Sequence, residues 1–537
     1  MIADVAIYSA VVIVVVSIVR RLLSSDPASY WEQNGVSMAK TKSFWAKLLQ
    51  MDFDFVKSDT DIYNQLKAQK YGGVMEFGAP ALFITDLDLL KQVLIRDFDH
   101  FVNRRGFDLE ENDPHMHYLL GNHNGDAWKR LRSTISPTFT GGKIRRIFQI
   151  FDSSAKKMVR YITDQLTESS EVELRPNVHK LTMDIIMSAA FGIETNIFED
   201  PNSLYAVMGN KILTQFAKVS TVLKFFLLWL SPKMAKILKV KITDDEADQF
   251  LSKVIRESLR LRRDNGTRRE DFLQIMLEAQ LGQLPEEDEN QLDDHEINAK
   301  LSSDAGQSVT ITEDVIIANC FVFLLGGFDT TESTLSFAIY ELAVNPEIQD
   351  RLYLEIKAAV DDNHGEFSYD IIQGLRYLDM IVFETLRKYP PFSRTDRRSV
   401  KAFTVPGTNF TLPTDSMVII PIYPIHHDPE YWPEPEKFDP ERFTKENSVH
   451  RPLCTYSPFG QGPRTRTRLN CVVDNLFVQS FSIGNRFALL ECKMALAHLV
   501  LNFILEPSPK TDVPIKITSQ ATLKPVGNVP LHIRSRV

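Results

Sequence analysis

Residues 310–346 read TITEDVIIANCFVFLLGGFDTTESTLSFAIYELAVNP. Thr310-Ile311-Thr312-Glu313 fits a capping box that opens a helix, and Asn345-Pro346 stops that helix at Val344. Such a helix has about 33 residues and a length of about 50 Å, enough to cross an entire domain. Its most apolar run, Val315 to Leu325, is too short to span a bilayer and reads as buried. Gly326 and Gly327 lie in its middle, although each glycine costs about 1 kcal/mol relative to alanine in a helix. Something there requires close backbone approach. Two readings are open: a notch for a second helix, or a groove over a flat cofactor. Under the second, Asp329 and Thr330 supply a carboxylate and a hydroxyl, suitable groups for a proton path to bound oxygen.

Outward from this helix, residues 284–308 are rich in Glu, Asp, Gln, Asn and Ser and read as a solvated loop. Downstream, Glu384 and Arg387 carry opposite charges at i and i+3 of one helical face. Pro390-Pro391 closes that helix, and residues 389–440 are dense in proline and short apolar runs, as in strands and extended turns. Arg442, in Pro-Glu-Lys-Phe-Asp-Pro-Glu-Arg-Phe (435–443), is placed to share the Glu384 carboxylate. Upstream, residues 71–85 read as a strand pair with a turn near Ala79-Pro80. Trp128 and Arg132, at i and i+4, offer an indole N–H and a guanidinium from one face, a fitting clamp for a carboxylate. Near the C-terminus come Pro458-Phe459-Gly460-Gln461-Gly462-Pro463-Arg464, then Ile483-Gly484-Asn485-Arg486-Phe487-Ala488, then an amphipathic helix over about 484–503.

The bulk properties narrow the field. The chain has 537 residues, is 44% hydrophobic and has a net charge of -9. Acidic and basic residues are mixed, so no nucleic-acid footprint is present. The four cysteines, Cys320, Cys454, Cys471 and Cys492, show no paired spacing of a zinc site or disulfide framework. Residues 2–19 are apolar apart from Asp4, Tyr8, Ser9 and Ser17, and Arg20-Arg21 come directly after. Eighteen helical residues span about 27 Å, close to a bilayer's hydrocarbon thickness. Basic residues after the span place its C-terminal side in the cytosol. The expected organisation is a membrane anchor over 1–21, a linker over 22–29 and one catalytic domain over 30–537.

Taken together, in this order along the chain, the anchor, Trp128 with Arg132, Gly327 to Thr331, Glu384 with Arg387, and Pro440 to Phe443 resemble a cytochrome P450, most similar to the insect microsomal members. The resemblance implies a mainly α fold with a small β region and a single N-terminal transmembrane helix. It implies haem held between the long helix and a cysteine loop. Trp128, Arg132, Gly327, Phe459 and Arg464 would bind that cofactor, Asp329 and Thr330 would manage oxygen activation, and Glu384, Arg387 and Arg442 would form a structural triad. It also implies electrons from NADPH, delivered by NADPH–cytochrome P450 reductase, with cytochrome b5 as a further partner, at the endoplasmic reticulum membrane. One oxygen atom would enter a small lipophilic substrate. The stretches 104–120 and 207–238, rich in apolar and aromatic residues, are the ones expected to line its pocket.

One feature departs from the family. Its ligand loop reads Phe-Gly-x-Gly-x-Arg-x-Cys-x-Gly, whereas here 18 residues, Thr465 to Ser482, separate Arg464 from Ile483. Counting forward, the ligand position holds Arg466; counting backward, Ser482. Cys471 is the one thiol inside the insert. The flanks match so well that the insert reads as an error in the gene model, with a misplaced splice boundary, a base error and a real lesion as the open origins. A clean in-frame excision does not rebuild the loop, since arginine codons begin with C or A and cysteine codons with T. Besides an active monooxygenase, two other functions fit this reading: a haem-poor pseudoenzyme that binds lipophilic ligands, and a reductase-independent isomerase or dehydratase. Asp329 with Thr330 favours oxygen activation over the latter.

Overall fold

A computed structural model describes residues 27–42, 54–76, 79–107, 109–135, 141–215, 218–282, 311–462, 484–519 and 522–536. The proposed anchor (1–21), Arg464 and the insert (465–482) lie outside these residues. Helices dominate: α1 (Gly125–Ile135), α2 (Phe148–Leu166), α3 (Leu174–Phe191), α4 (Glu313–Val344), α5 (Arg376–Lys388) and α6 (Asn485–Asn502) frame the centre.

The long helix forms as its sequence dictates. The Thr312 hydroxyl accepts the Val315 N–H at 3.3 Å. Because the third helical residue is Val315 and not an acid, this is a single cap and not the expected reciprocal box. At the other end Asn345 turns its side-chain amide back onto the Glu341 carbonyl at 2.8 Å, and Pro346 begins the next helix. Most of α4 is buried, as is most of α3 beside it. Helix α6 differs from expectation: every residue from Leu490 to Val500 is buried, so it is a core helix and not an amphipathic one. Two of its polar members find partners inside, Lys493 on Asp379 at 2.8 Å and His498 on Asp152 at 2.9 Å. Aromatic rings join the layers: Phe487 lies 4.8 Å from Phe151 and 5.6 Å from Phe323. Each such fully buried ring stabilises by roughly 1.5–3 kcal/mol.

The main sheet comprises β1 (Tyr71–Glu76), β2 (Ala79–Ile84), β3 (Arg394–Arg398) and β4 (Met417–Pro421), in the order β1–β2–β4–β3. Ala79 and Pro80 already pair with Glu76 and Met75, so the expected turn falls before Ala79 and not on it. Of the glycines of β1, Gly72 is crowded by Leu66 and Gly73 by Trp31, which is 1% exposed. A Cβ on Gly73 would stand 2.2 Å from its indole. Trp31 belongs to a helix spanning Pro27–Gln33, which takes in residues 27–29 of the expected linker. A hairpin of β5 (Ile517–Ser519) and β6 (Leu523–Pro525) lies against α4, with buried Leu523 beside Phe337 and Tyr389.

Candidate active site

Helix α5 brings the predicted charged pair into the core. Arg387 donates from Nε and Nη2 to the two oxygens of Glu384, both at 2.8 Å, and both side chains are 0% exposed. Arg442, in the turn Pro440–Phe443, holds its Nε 3.4 Å from the same carboxylate, and the Asp439 N–H donates to it at 3.0 Å. The structure thus assembles Glu384, Arg387 and Arg442. A fork-on-fork pair of this kind fixes geometry as well as charge.

His426 joins this cluster to the loop beyond it, a role the sequence reading missed. Its Nε2 accepts the Ser457 N–H at 2.9 Å, so the proton sits on Nδ1, 3.0 Å from the Arg387 carbonyl. Arg387 returns a hydrogen bond from Nη1 to the His426 carbonyl at 3.0 Å. Burial pushes the imidazole well below its ordinary pKa, so it stays neutral. Its ring stacks on Tyr456 at 5.5 Å, and the Tyr456 hydroxyl donates to the Phe383 carbonyl at 3.0 Å. A histidine next to a second one, His427, outside any motif, offered no sequence signal for this.

The segment from Pro458 to Gly462 is tightly turned. Gly460 and Gly462 have φ values of 86° and 92°, which only glycine adopts readily. A Cβ on Gly462 would fall 1.8 Å from the Leu94 carbonyl oxygen. Gly462→Ala is therefore expected to displace the loop and cost about 1–3 kcal/mol or more, measured as a lowered denaturant midpoint at unchanged m-value. Phe459 packs partly buried against the main core. The three described thiols are unsuited to bind a metal here. Cys320 donates to the Ala190 carbonyl at 3.1 Å, Cys454 lies in the core around the main sheet, and Cys492 is buried in α6. Burial pushes all three up, Cys454 to about 12, so each remains a protonated thiol. Cys471 lies outside the described residues.

A group of buried cations lies near β3. The Arg132 guanidinium sits 5.5 Å over the indole of Trp128, itself 4% exposed. Burial, then repulsion from Arg104, pushes Arg132 down to about 10. Arg104 is lowered by burial too, and its Nε is enclosed with no hydrogen-bond partner; Asp396 is the acid that opposes the shift. Next to Asp396, the 0%-exposed Arg397 reaches the Gln461 carbonyl at 3.3 Å. Two half-buried guanidiniums repel each other here, and the Arg104 Nε among them is orphaned. They fit the carboxylates of a porphyrin. Arg104 and Arg397 escaped sequence reading because neither sits in a motif; the fold alone brings them in.

At the glycine pair the structure separates the two readings by one residue. A Cβ on Gly327 would meet Ile186 of α3 at 3.2 Å, so Gly327 is the helix-packing notch. Gly326 faces open space, with nothing within 4 Å. Of the two glycines, Gly326 and not the expected Gly327 is the one with free space beside it. Thr330 donates from Oγ1 to the Gly326 carbonyl at 2.6 Å, and Asp329 pairs with Lys524 of β6 at 2.9 Å. Beside Gly326, Leu325 packs with an apolar cluster of Leu109, Met116, Leu228, Ala235 and Ile242. Phe107 and Phe225 meet there at 5.4 Å. A cavity of about 260 Å³ shares Phe107 and Leu228 with this cluster, and Glu76, Arg105, Arg398 and Asp415 line it as well. Parts of the two stretches expected to line a pocket thus converge.

Comparison with known proteins gives a consistent picture. The cytochrome P450 family model matches residues 44–531. The chain is 35% identical to "Cytochrome P450 9e2" of Blattella germanica, covering 91% of each chain. It is 34% identical to "Probable cytochrome P450 6a13" of Drosophila melanogaster, covering 92% of this chain and 91% of the relative. "Cytochrome P450 6k1" of Blattella germanica is 32% identical, covering 94% and 92% respectively.

Proposed function

Because this chain belongs to the cytochrome P450 family, whose members are haem monooxygenases, we propose that it inserts one oxygen atom from O2 into small lipophilic substrates, using electrons that NADPH–cytochrome P450 reductase, and cytochrome b5, deliver from NADPH. The substrates fall among xenobiotics, plant toxins, insecticides and endogenous lipids or hormones. In this reading residues 1–21 anchor the protein in the endoplasmic reticulum membrane and the catalytic domain faces the cytosol. The relatives give no support to the reading as a haem-poor remnant.

The observation that carries the reading is the half-buried Arg104–Arg132 pair with its orphaned Arg104 Nε. With Trp128, Arg397 and Arg464 it would hold the porphyrin carboxylates, while open Gly326 leaves room for the ring face. Haem, when bound through a thiolate, supplies an iron that activates O2. With three thiols buried elsewhere, Cys471 is left to supply that thiolate. The chain's own residues do the rest. The cluster around Leu109, Leu228 and Leu325 excludes water and accepts an apolar substrate. The Thr330 hydroxyl, fixed on the Gly326 carbonyl, and the Asp329 carboxylate hold and pass protons beside the open groove.

The test is haem binding to the full chain. Arg104→Ala and Arg132→Ala are each expected to weaken haem retention about tenfold or more, since a charge-assisted contact contributes about 1.5–3 kcal/mol. Unchanged haem release in both variants would falsify the cradle.

A further inference from the structure

Leu109 and Met116 belong to the apolar cluster around Leu228 and Leu325. The residues between them are fastened to a distant stretch of chain, 240–248. Asp113, fully buried, caps the short helix Pro114–His117. Its carboxylate accepts the Ile242 N–H at 2.9 Å and the Thr243 N–H and hydroxyl, each at 2.8 Å. Two residues on, the His115 Nδ1 stands 2.7 Å from the carboxylate of Asp248, in the helix spanning Asp245–Asn265. An ionised carboxylate only accepts, so Nδ1 carries the proton. The opposite nitrogen, Nε2, stands 3.8 Å from Asp314 in the first turn of α4. The ring edge meets Phe321 of α4 at 5.6 Å. His115 and Met116 are neighbours in one helical turn, so a shift of the imidazole moves the wall of the apolar cluster.

We infer that His115 is a positioning residue whose protonation tightens the wall of the substrate chamber, by closing onto Asp314 a contact that the neutral ring cannot make. This rests on the monooxygenase reading above, which makes the cluster a chamber. In the neutral ring Nε2 turns a lone pair toward Asp314, and two acceptors do not bond. A proton there places a cation between two carboxylates and ties the short helix to α4 as well as to Asp248. Burial alone would raise the Asp248 carboxyl, but the bonds from His115 and Lys241 hold it below its ordinary range, so it stays charged throughout. Lys241 and Arg256 oppose the added charge. Each is shared with a second acid: Lys241 lies 2.8 Å from Asp248 and 2.7 Å from Asp245, and Arg256 lies 2.9 Å from Asp314 and 4.0 Å from Glu313. His117, on the same short helix, meets His123 at 5.1 Å instead. The sign is therefore fixed: the wall is tighter at lower pH and loosens as pH rises and His115 loses its charge. The Asp113 bonds persist at both ends, so the change is graded and not an opening of the fold.

The test uses the full chain labelled with 13C in its methionine methyl groups. The Met116 signal, identified by its loss in Met116→Leu, is expected to shift between about pH 6 and about pH 8, the range in which histidine changes charge. It should stay fixed in His115→Gln and move less than about half as far in Asp314→Asn, whose half-exposed site tolerates the change. Asp245→Asn removes an acid from Lys241 and not from the ring, so it should leave the shift as it was. From the haem-loaded chain, Nile red, a lipophilic dye, is expected to leave about threefold or more slowly at about pH 6 than at about pH 8, as one partly exposed ion pair allows. In Asp314→Asn the two rates should agree within about 1.5-fold. A Met116 signal unmoved by pH, or an Asp314→Asn variant that titrates like the unaltered chain, overturns the inference. So does dye release that ignores pH while Met116 titrates. Failure of the dye to bind at all defeats the chamber instead and leaves the Met116 signal to decide this inference.

Discussion

Glu384→Gln should destabilise the protein by about 3–5 kcal/mol, the usual cost of stripping a buried charge of its partner. Arg387 is the reason. It is fully buried and its two strongest bonds go to the Glu384 oxygens. Glutamine keeps the shape but offers one acceptor where two were used, and it turns an amide N–H toward a cation. The loss spreads beyond the pair. Arg387 also holds the His426 carbonyl, and His426 receives the Ser457 N–H, so the segment leading into the ligand loop slackens as well. Denaturant unfolding and haem content should therefore fall together. A stable Glu384→Gln protein with normal haem would show that the triad is decoration. Arg442→Ala, whose Nε is 3.4 Å from the same oxygen, should cost less, about 1–3 kcal/mol.

The second large effect concerns the ligand loop. Removing residues 466–481 together with Ser482→Cys restores the family spacing between Arg464 and Ile483. That variant is expected to raise the thiolate-type band of the reduced carbon monoxide difference spectrum about tenfold or more over the chain as it stands. The reason is geometric: a short loop fixes the sulfur and aims backbone N–H groups at it, and outer contacts of this kind are commonly worth 10–100-fold. In the unaltered chain, Cys471→Ala should abolish whatever thiolate band is present. A band that survives it removes Cys471 as the ligand, and equal bands in the long and shortened loops remove the geometric argument. Transcript reads encoding residues 465–482 would show that the insert belongs to the expressed protein.

The parts legible in the sequence are those where local pattern and chemistry coincide. The cap at Thr312 and the stop at Asn345-Pro346 delimit α4 to within a residue or so. Spacing alone put Glu384 with Arg387, and Trp128 with Arg132, on common faces. The parts that were not legible depend on how elements meet. Which of two neighbouring glycines faces the groove is decided by the rotation of α4 against Ile186, and no helical period reveals it. Arg104, Arg397 and Lys524 reach the site from extended segments, where their spacing signals nothing. Helix α6 looked amphipathic because Lys493 and His498 are polar; half-buried Asp379 and buried Asp152 are what make them core residues.

The turn at Gly462 carries a consequence for the evolution of this gene. The backbone there is wedged against the Leu94 carbonyl, and α6 begins at Asn485 already committed to the core. The two ends of the loop are thus moored independently of what runs between them. Lengthening a tether between fixed moorings is cheap: going from six residues to 22 between Gly462 and Asn485 is about two doublings, or roughly 1 kcal/mol of closure entropy. A lineage that acquires such an insert keeps its architecture and stands to lose chiefly its chemistry, so folding alone does little to purge the change.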